Sequence, residues 1–137
     1  MKYKVSFEVP GEPKGKGRPR FSTKTGRAFT PQDTLNYENL VKFQYKMKAI
    51  DQYTENPIKA TIICYYSIPK SFSKKKRELA LCGFLRPTKK PDADNCGKAI
   101  LDALNGIAYQ DDRQVVILIV EKYYGEKPFV KVDLEEL

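Results

Sequence analysis

The chain has 137 residues, 41% of them hydrophobic and 31% charged, which suits one folded domain over 1–137 with its own core. Its 25 basic and 17 acidic residues give a net charge of +8, and it contains no histidine. That absence excludes histidine-based nucleophilic triads, histidine-metal nucleases and most zinc sites. Hydrolytic chemistry here must run on carboxylates, lysine or metal-bound water.

No apolar run approaches the roughly 18 residues of a membrane helix, and the first residues lack a signal-peptide core, so a cytoplasmic protein is expected. Cys64, Cys82 and Cys96 are odd in number and widely spaced, as reduced thiols are. Charge is unevenly spread: +7 over residues 1–50, +6 over 51–90 and −5 over 91–137. A basic bulk with a concentrated acidic segment suggests a polyanion held near a cation-binding pocket. Plain solubility produces the same balance in many proteins, so charge alone does not decide.

Tyr3, Val5, Phe7 and Val9 alternate with polar residues and predict a half-buried strand ended by Pro10-Gly11. Residues 11–29 form a loop broken by glycine and proline, carrying Lys14, Lys16, Arg18, Arg20, Lys24 and Arg27. These six are candidate DNA-backbone contacts, with glycines letting backbone N–H groups approach phosphate. Phe21 and Phe29 either stack on exposed bases or pin the loop to the core. The alternative for the whole segment is a mobile surface loop.

Thr30-Pro31-Gln32-Asp33 predicts a helix start, with Thr30 capping and Pro31 at the first helical position. Tyr37, Leu40, Phe43, Met47 and Ile50 then predict an amphipathic helix packed on a sheet through that stripe. Ile58 to Ile68 reads as a second strand. Ser73 predicts the cap of a short helix to Cys82, stopped by Gly83. Lys74, Lys75, Lys76 and Arg77 open that helix, either as phosphate contacts or as a solvated basic face. The uninterrupted apolar run Val115 to Val120 predicts a central strand buried on both faces. Val130, Val132 and Leu134 predict a last strand nearer an edge, with Gly125 to Pro128 as the turn between.

The chemistry concentrates in residues 90–112. Cys96, Ile100, Leu104 and Ile107 have helical spacing, so a helix is expected from about Asn95 to Leu104. Asp94 and Lys98 then share a face one turn apart, and Asp92 precedes them in an extended Asp-x-Asp segment. A turn at the helix start is needed to aim both carboxylates at one cation. Asp111-Asp112, before the apolar run, offers a third. Two or three aspartates plus a phosphate oxygen suit magnesium, which prefers oxygen ligands and keeps several waters. Such an ion polarises a phosphoryl group and activates water, and Lys98 would neutralise developing charge. The competing account makes Asp92 and Asp94 helix caps, and Asp94, Lys98 and Asp102 an ordinary ion-pair ladder. Asp102 is read as a helix-surface partner of Lys98.

Asp92-Ala-Asp94-Asn95, Lys98, Asp102-Ala-Leu104 and Asp111-Asp112-x-Gln114-Val-Val together resemble the RusA family of Holliday-junction resolvases, often prophage-borne. The basic segment Lys14 to Phe21 is similar to a form common in that family. The resemblance implies an α+β fold, a mixed sheet of about four strands with helices packed on it. It implies catalysis by Asp92, Asp94, Lys98 and Asp112, with Asp92, Asp94 and Asp112 as metal ligands and Asp111 secondary. It further implies magnesium, or manganese in its place, and a homodimer that nicks opposing strands of a four-way junction symmetrically in DNA recombination and repair. The runner-up is a phage-derived DNA-binding protein that does not cleave, its carboxylates structural. A restriction-type nuclease fits less well, because no Asp/Glu-x-Lys follows on the next strand.

Overall fold

The computed structural model describes residues 2–17 and 20–137, the side chain of Arg20 excepted. In chain order the elements are β1 (Lys4–Pro10), β2 (Arg20–Phe21), β3 (Ala28–Phe29), α1 (Gln32–Ala49), β4 (Ile58–Ser67), α2 (Lys74–Leu81), α3 (Ala93–Ala103), β5 (Val115–Gly125) and β6 (Phe129–Glu136). A short 3₁₀ turn, Asp112–Gln114, leads into β5.

The alternation in β1 buries Tyr3, Val5, Phe7 and Val9 and turns Lys4, Ser6 and Glu8 outward. β4 alternates likewise, with Ile58, Ala60, Ile62, Cys64 and Tyr66 inward. A four-stranded sheet results, in the order β1-β6-β4-β5, antiparallel except where β4 and β5 pair in parallel. α1 packs against β1 and α3 against β5, and the two helices touch each other over the core. The fold is α+β, as expected.

Two strands exchange their expected places. β6 is central, between β1 and β4, and its alternation reflects a sheet with only one face covered. β5 lies at the edge, and Val116, Ile117, Leu118 and Ile119 are exposed instead of being buried on both faces. A continuous apolar run reads the same whether its cover comes from within the chain or is missing from it. The β5–β6 turn crosses the end of β4, where a Cβ on Gly125 would stand 3.2 Å from Tyr65 Cβ.

α1 begins one residue later than expected: Pro31 is the cap residue, and no side chain caps the helix, Thr30 included. Its buried face is Thr34, Tyr37, Val41, Tyr45 and Ala49, whereas Phe43, Met47 and Ile50 are exposed. The tyrosines win because their hydroxyls find partners: Tyr45 pairs with the Tyr3 hydroxyl at 2.7 Å and donates to the Gln52 carbonyl at 2.6 Å. α2 is capped by Ser73, which accepts the Lys76 N–H at 3.2 Å, and is stopped by Gly83 at φ +87°. Within the basic loop, β2 and β3 form a small hairpin that leaves Phe21 and Phe29 exposed rather than pinned to the core.

Candidate active site

α3 starts two residues earlier than its periodicity suggested, because Asp92 caps it. The Asp92 backbone is extended (φ −73°, ψ 165°), and its Oδ1 accepts the Asn95 N–H at 3.2 Å. Asp94 therefore lies in the first turn rather than before it. Negative charge is favoured at this end by the helix dipole, so two carboxylates tolerate each other here. Asp92, Asp94 and Lys98 are all exposed. The cap uses one Asp92 oxygen and leaves the other accessible.

Tyr66, at the end of β4, fixes where this helix begins. Its hydroxyl donates to the Pro91 carbonyl at 2.6 Å and lies 3.5 Å from the Cys96 sulfur. Two ammonium groups flank its ring, Lys122 at 5.1 Å and Lys89 at 5.9 Å from the centroid. Tyr66 was not legible as a site residue, since in the sequence it is one of several aromatics on a strand.

The loop Lys14 to Gly17 is fastened to the helices. The Lys16 N–H donates to Asn95 Oδ1 at 3.2 Å, and the Gly17 N–H donates to Thr34 Oγ1 at 2.9 Å. A Cβ on Gly15 would stand 2.1 Å from Asn95 Nδ2, and one on Gly17 2.6 Å from Thr34 Oγ1. These two glycines thus serve close packing against α3 and α1. Lys16 Nζ reaches Asp102 Oδ2 at 2.6 Å. Asp102, expected to pair with Lys98, pairs across the fold instead. This pairing raises the pKa of Lys16 further above its ordinary value, against the opposing effect of burial.

At the far end of α3, Asp112 neighbours Asp102. Its pKa is raised by burial first, then by Asp102 and Asp111. Asp111 is engaged elsewhere: its carboxylate accepts the Arg113 N–H at 3.0 Å, and it forms a reciprocal capping box with Gln114. Gln114 Nε2 in turn donates to the Thr54 and Asn56 carbonyls at 3.0 and 3.1 Å.

The acidic residues therefore fall into two groups, Asp92 with Asp94 at the start of α3 and Asp102 with Asp112 at its end. The eight residues from Asp94 to Asp102 correspond to about 12 Å of helix rise. Among the described residues, no group of three or more His, Cys, Asp or Glu is placed to hold a metal ion. Asp92 and Asp94 suit a hard cation that keeps waters, but the chain does not bring Asp112 to them.

Of the remaining basic residues, Lys14, Lys24, Arg27, Lys74, Lys75, Lys76 and Arg77 are exposed. Lys76 Nζ sits 4.3 Å from the centroid of the Phe72 ring. Arg18 and the side chain of Arg20 lie outside the described residues.

A mixed-sheet α+β domain of this kind, with an Asp-x-Asp at the mouth of one helix, matches a known nuclease family. The model described as "Endodeoxyribonuclease RusA" covers residues 10–135, and the chain belongs to the RusA endodeoxyribonuclease family. It is also 41% identical over 140 residues to "Uncharacterized protein YqaN" of Bacillus subtilis (strain 168), an alignment spanning 97% of this chain and 96% of that protein. No described helix is long and apolar enough to cross a membrane.

Proposed function

We propose that the protein is a divalent-metal-dependent, structure-selective endodeoxyribonuclease. It resolves four-way junctions by paired symmetric nicks, acting as a homodimer in cytoplasmic DNA recombination and repair. The observation that carries this reading is the Asp92–Asp94 pair, exposed at the start of α3 with the basic loop bound to the same helix through Asn95. Family membership supports endonuclease chemistry on DNA.

Asp92 and Asp94 would hold magnesium or manganese, while Asp112 stands apart from them beyond the other end of α3. When bound, such an ion polarises the scissile phosphate and activates water. The Asp92 cap and the Tyr66–Pro91 hydrogen bond hold the two carboxylates in place without substrate. Lys98, one turn after Asp94, neutralises charge on the leaving oxygen. Lys14, Arg18, Arg20, Lys24, Arg27 and Lys74 to Arg77 supply backbone contacts whose strength falls with salt. Lys16 belongs to the same loop, although its ammonium is paired with Asp102.

A nicking assay on four-way, flap and linear DNA, in magnesium and in EDTA, tests the proposal. Magnesium-dependent paired nicks on the junction are expected, and Asp94→Asn should bind the junction without cutting it. Junction binding with no product in either buffer would replace this reading with a non-cleaving DNA-binding protein. Wild-type cutting by Asp94→Asn would remove the site assignment.

A further inference from the structure

Three cations outside the basic loop and α2 are held in fixed places near the start of α3. Lys122 follows Val120 on the face of β5 that α3 covers, where a Cβ on Gly97 would stand 3.0 Å from Val120 Cγ2. It is half-buried, and its ammonium donates to the Lys89 carbonyl at 2.7 Å. That ammonium lies 5.1 Å from the centroid of the Tyr66 ring, and the Lys89 ammonium lies 5.9 Å from the same centroid. Arg86 joins them from the next strand position. Its guanidinium carbon is 3.6 Å from the centroid of the Tyr123 ring, and its Nε donates to the Lys122 carbonyl at 2.5 Å. Pro87, buried, anchors the chain between Arg86 and Lys89.

No carboxylate neutralises these three. Among the described residues the ion pairs are Lys16 with Asp102 and Arg113 with Asp111. Glu121, next to Lys122 in the chain, accepts from the Tyr123 hydroxyl at 3.4 Å instead. Each cation is seated on an aromatic ring, and Lys122 and Arg86 are also tied to backbone carbonyls. Lys122 uses one of its three donors in this way, and Arg86 one of its five. A half-buried ammonium without an acidic partner is unfavourable, and a bound anion removes that penalty. Side chains already held in position also lose less entropy when they bind.

We propose that Arg86, Lys89 and Lys122 form a phosphate-binding track that sets the register of one DNA strand against Asp92 and Asp94. Tyr66 couples the two groups of charges. Its hydroxyl holds the Pro91 carbonyl, directly before Asp92, and its ring seats both ammonium groups. The distance between the cations and the carboxylates is therefore built into one side chain. Exposed carboxylates repel a phosphate, and ammonium groups on the neighbouring ring offset that repulsion. Phosphate contacts position a duplex or strand without reading its sequence. Fixed cations do so at particular phosphates, whereas freely moving surface lysines contribute affinity spread over many.

This inference rests on the nuclease reading for the cut itself but not for phosphate binding, so affinity is measured in EDTA. Four-way junctions each carry one neutral methylphosphonate in place of a phosphate. Wild-type binding should weaken at a few adjacent positions on one strand. Arg86→Met and Lys122→Met should each become insensitive to neutralisation at one of those positions while remaining sensitive at the others. Each should also lower the slope of log affinity against log salt by about 0.9, the value of one lost phosphate contact. Lys131→Gln, an exposed cation of β6, should leave both readouts unchanged. Lys122→Arg should keep the salt slope, and thermal melts check that each variant is folded. If Lys122→Met does not fold, the wild-type interference pattern and Arg86→Met still decide. Variants that keep the wild-type slope and pattern overturn the track. In magnesium, the interfering phosphates should lie next to the nick in the cut strand, and interference confined to remote positions also overturns it. Localised interference by a wild type that never cuts removes the nuclease reading and leaves the track. Cutting with unaltered interference in the variants does the reverse, and no affinity for junction DNA overturns both.

Discussion

Lys16 Nζ and Asp102 Oδ2 lie 2.6 Å apart although 86 residues separate them in the chain. The pair joins the basic loop to the last turn of α3, and Asp102 in turn borders Asp112. Lys16 thereby compensates one member of a carboxylate pair that would otherwise repel. Lys16→Met should lower the cutting rate more than the junction affinity, with Lys16→Arg restoring part of the rate. In a double-mutant cycle with Asp102→Asn, denaturant melts should give a coupling of about 1 kcal/mol, in the range of partly exposed pairs. A Lys16→Met variant that loses affinity alone would make Lys16 a DNA contact.

Gly15 makes the same connection through sterics. Its missing Cβ leaves room for Asn95 Nδ2, which an alanine would approach to 2.1 Å. Gly15→Ala should force the loop away from α3 and destabilise the fold by about 1–3 kcal/mol, the usual effect of overpacking. Gly26 provides the control. It sits at φ +67° with nothing near its Cβ position, so Gly26→Ala should strain only the hairpin turn, by about 1 kcal/mol. Thermal melts of the two variants distinguish the sites.

The strands legible from sequence were those with one covered face. β1 and β4 alternate because a helix layer lies on one side and solvent on the other. The exchange of β5 and β6 arose from the same rule: β5 is apolar on both faces without being covered on both. In α1 two stripes compete, and counting hydrophobic residues favoured Phe43 and Met47 over tyrosines whose hydroxyls find partners only in the fold. The local motif around Asp92, Asp94 and Lys98 was readable because its members lie within two turns. The Lys16–Asp102 pair was not, since Lys98 stood one turn from Asp102 and offered a nearer partner. Nor does spacing tell that Asp92 and Asp112 lie at opposite ends of one helix.

Asp112 carries a pH signature. Burial and the neighbouring Asp102 raise its pKa in the folded chain, so the fold holds its proton more tightly than the unfolded chain does. Stability should therefore fall as pH rises from the ordinary carboxylate range through the raised value, and stay lower above it. Measured in EDTA, Asp112→Asn should raise the melting temperature at neutral pH and flatten that part of the pH profile. An unchanged profile would separate Asp112 from Asp102.

Tyr66 sets the position of the Asp92 cap through one hydrogen bond. Tyr66→Phe removes the donor to the Pro91 carbonyl while keeping the ring against the core, so a loss of about 1 kcal/mol in stability is expected. The larger effect should fall on metal affinity, because Asp92 follows Pro91 directly and its oxygen not used in capping depends on that anchor. Titration with manganese should show weaker binding for Tyr66→Phe, with junction affinity in EDTA unchanged. Cutting should recover when the metal concentration is raised, since the carboxylates themselves are intact. Recovery by metal separates a displaced ligand from a damaged fold, which excess manganese would not repair; if none occurs, Tyr66 acts on stability alone.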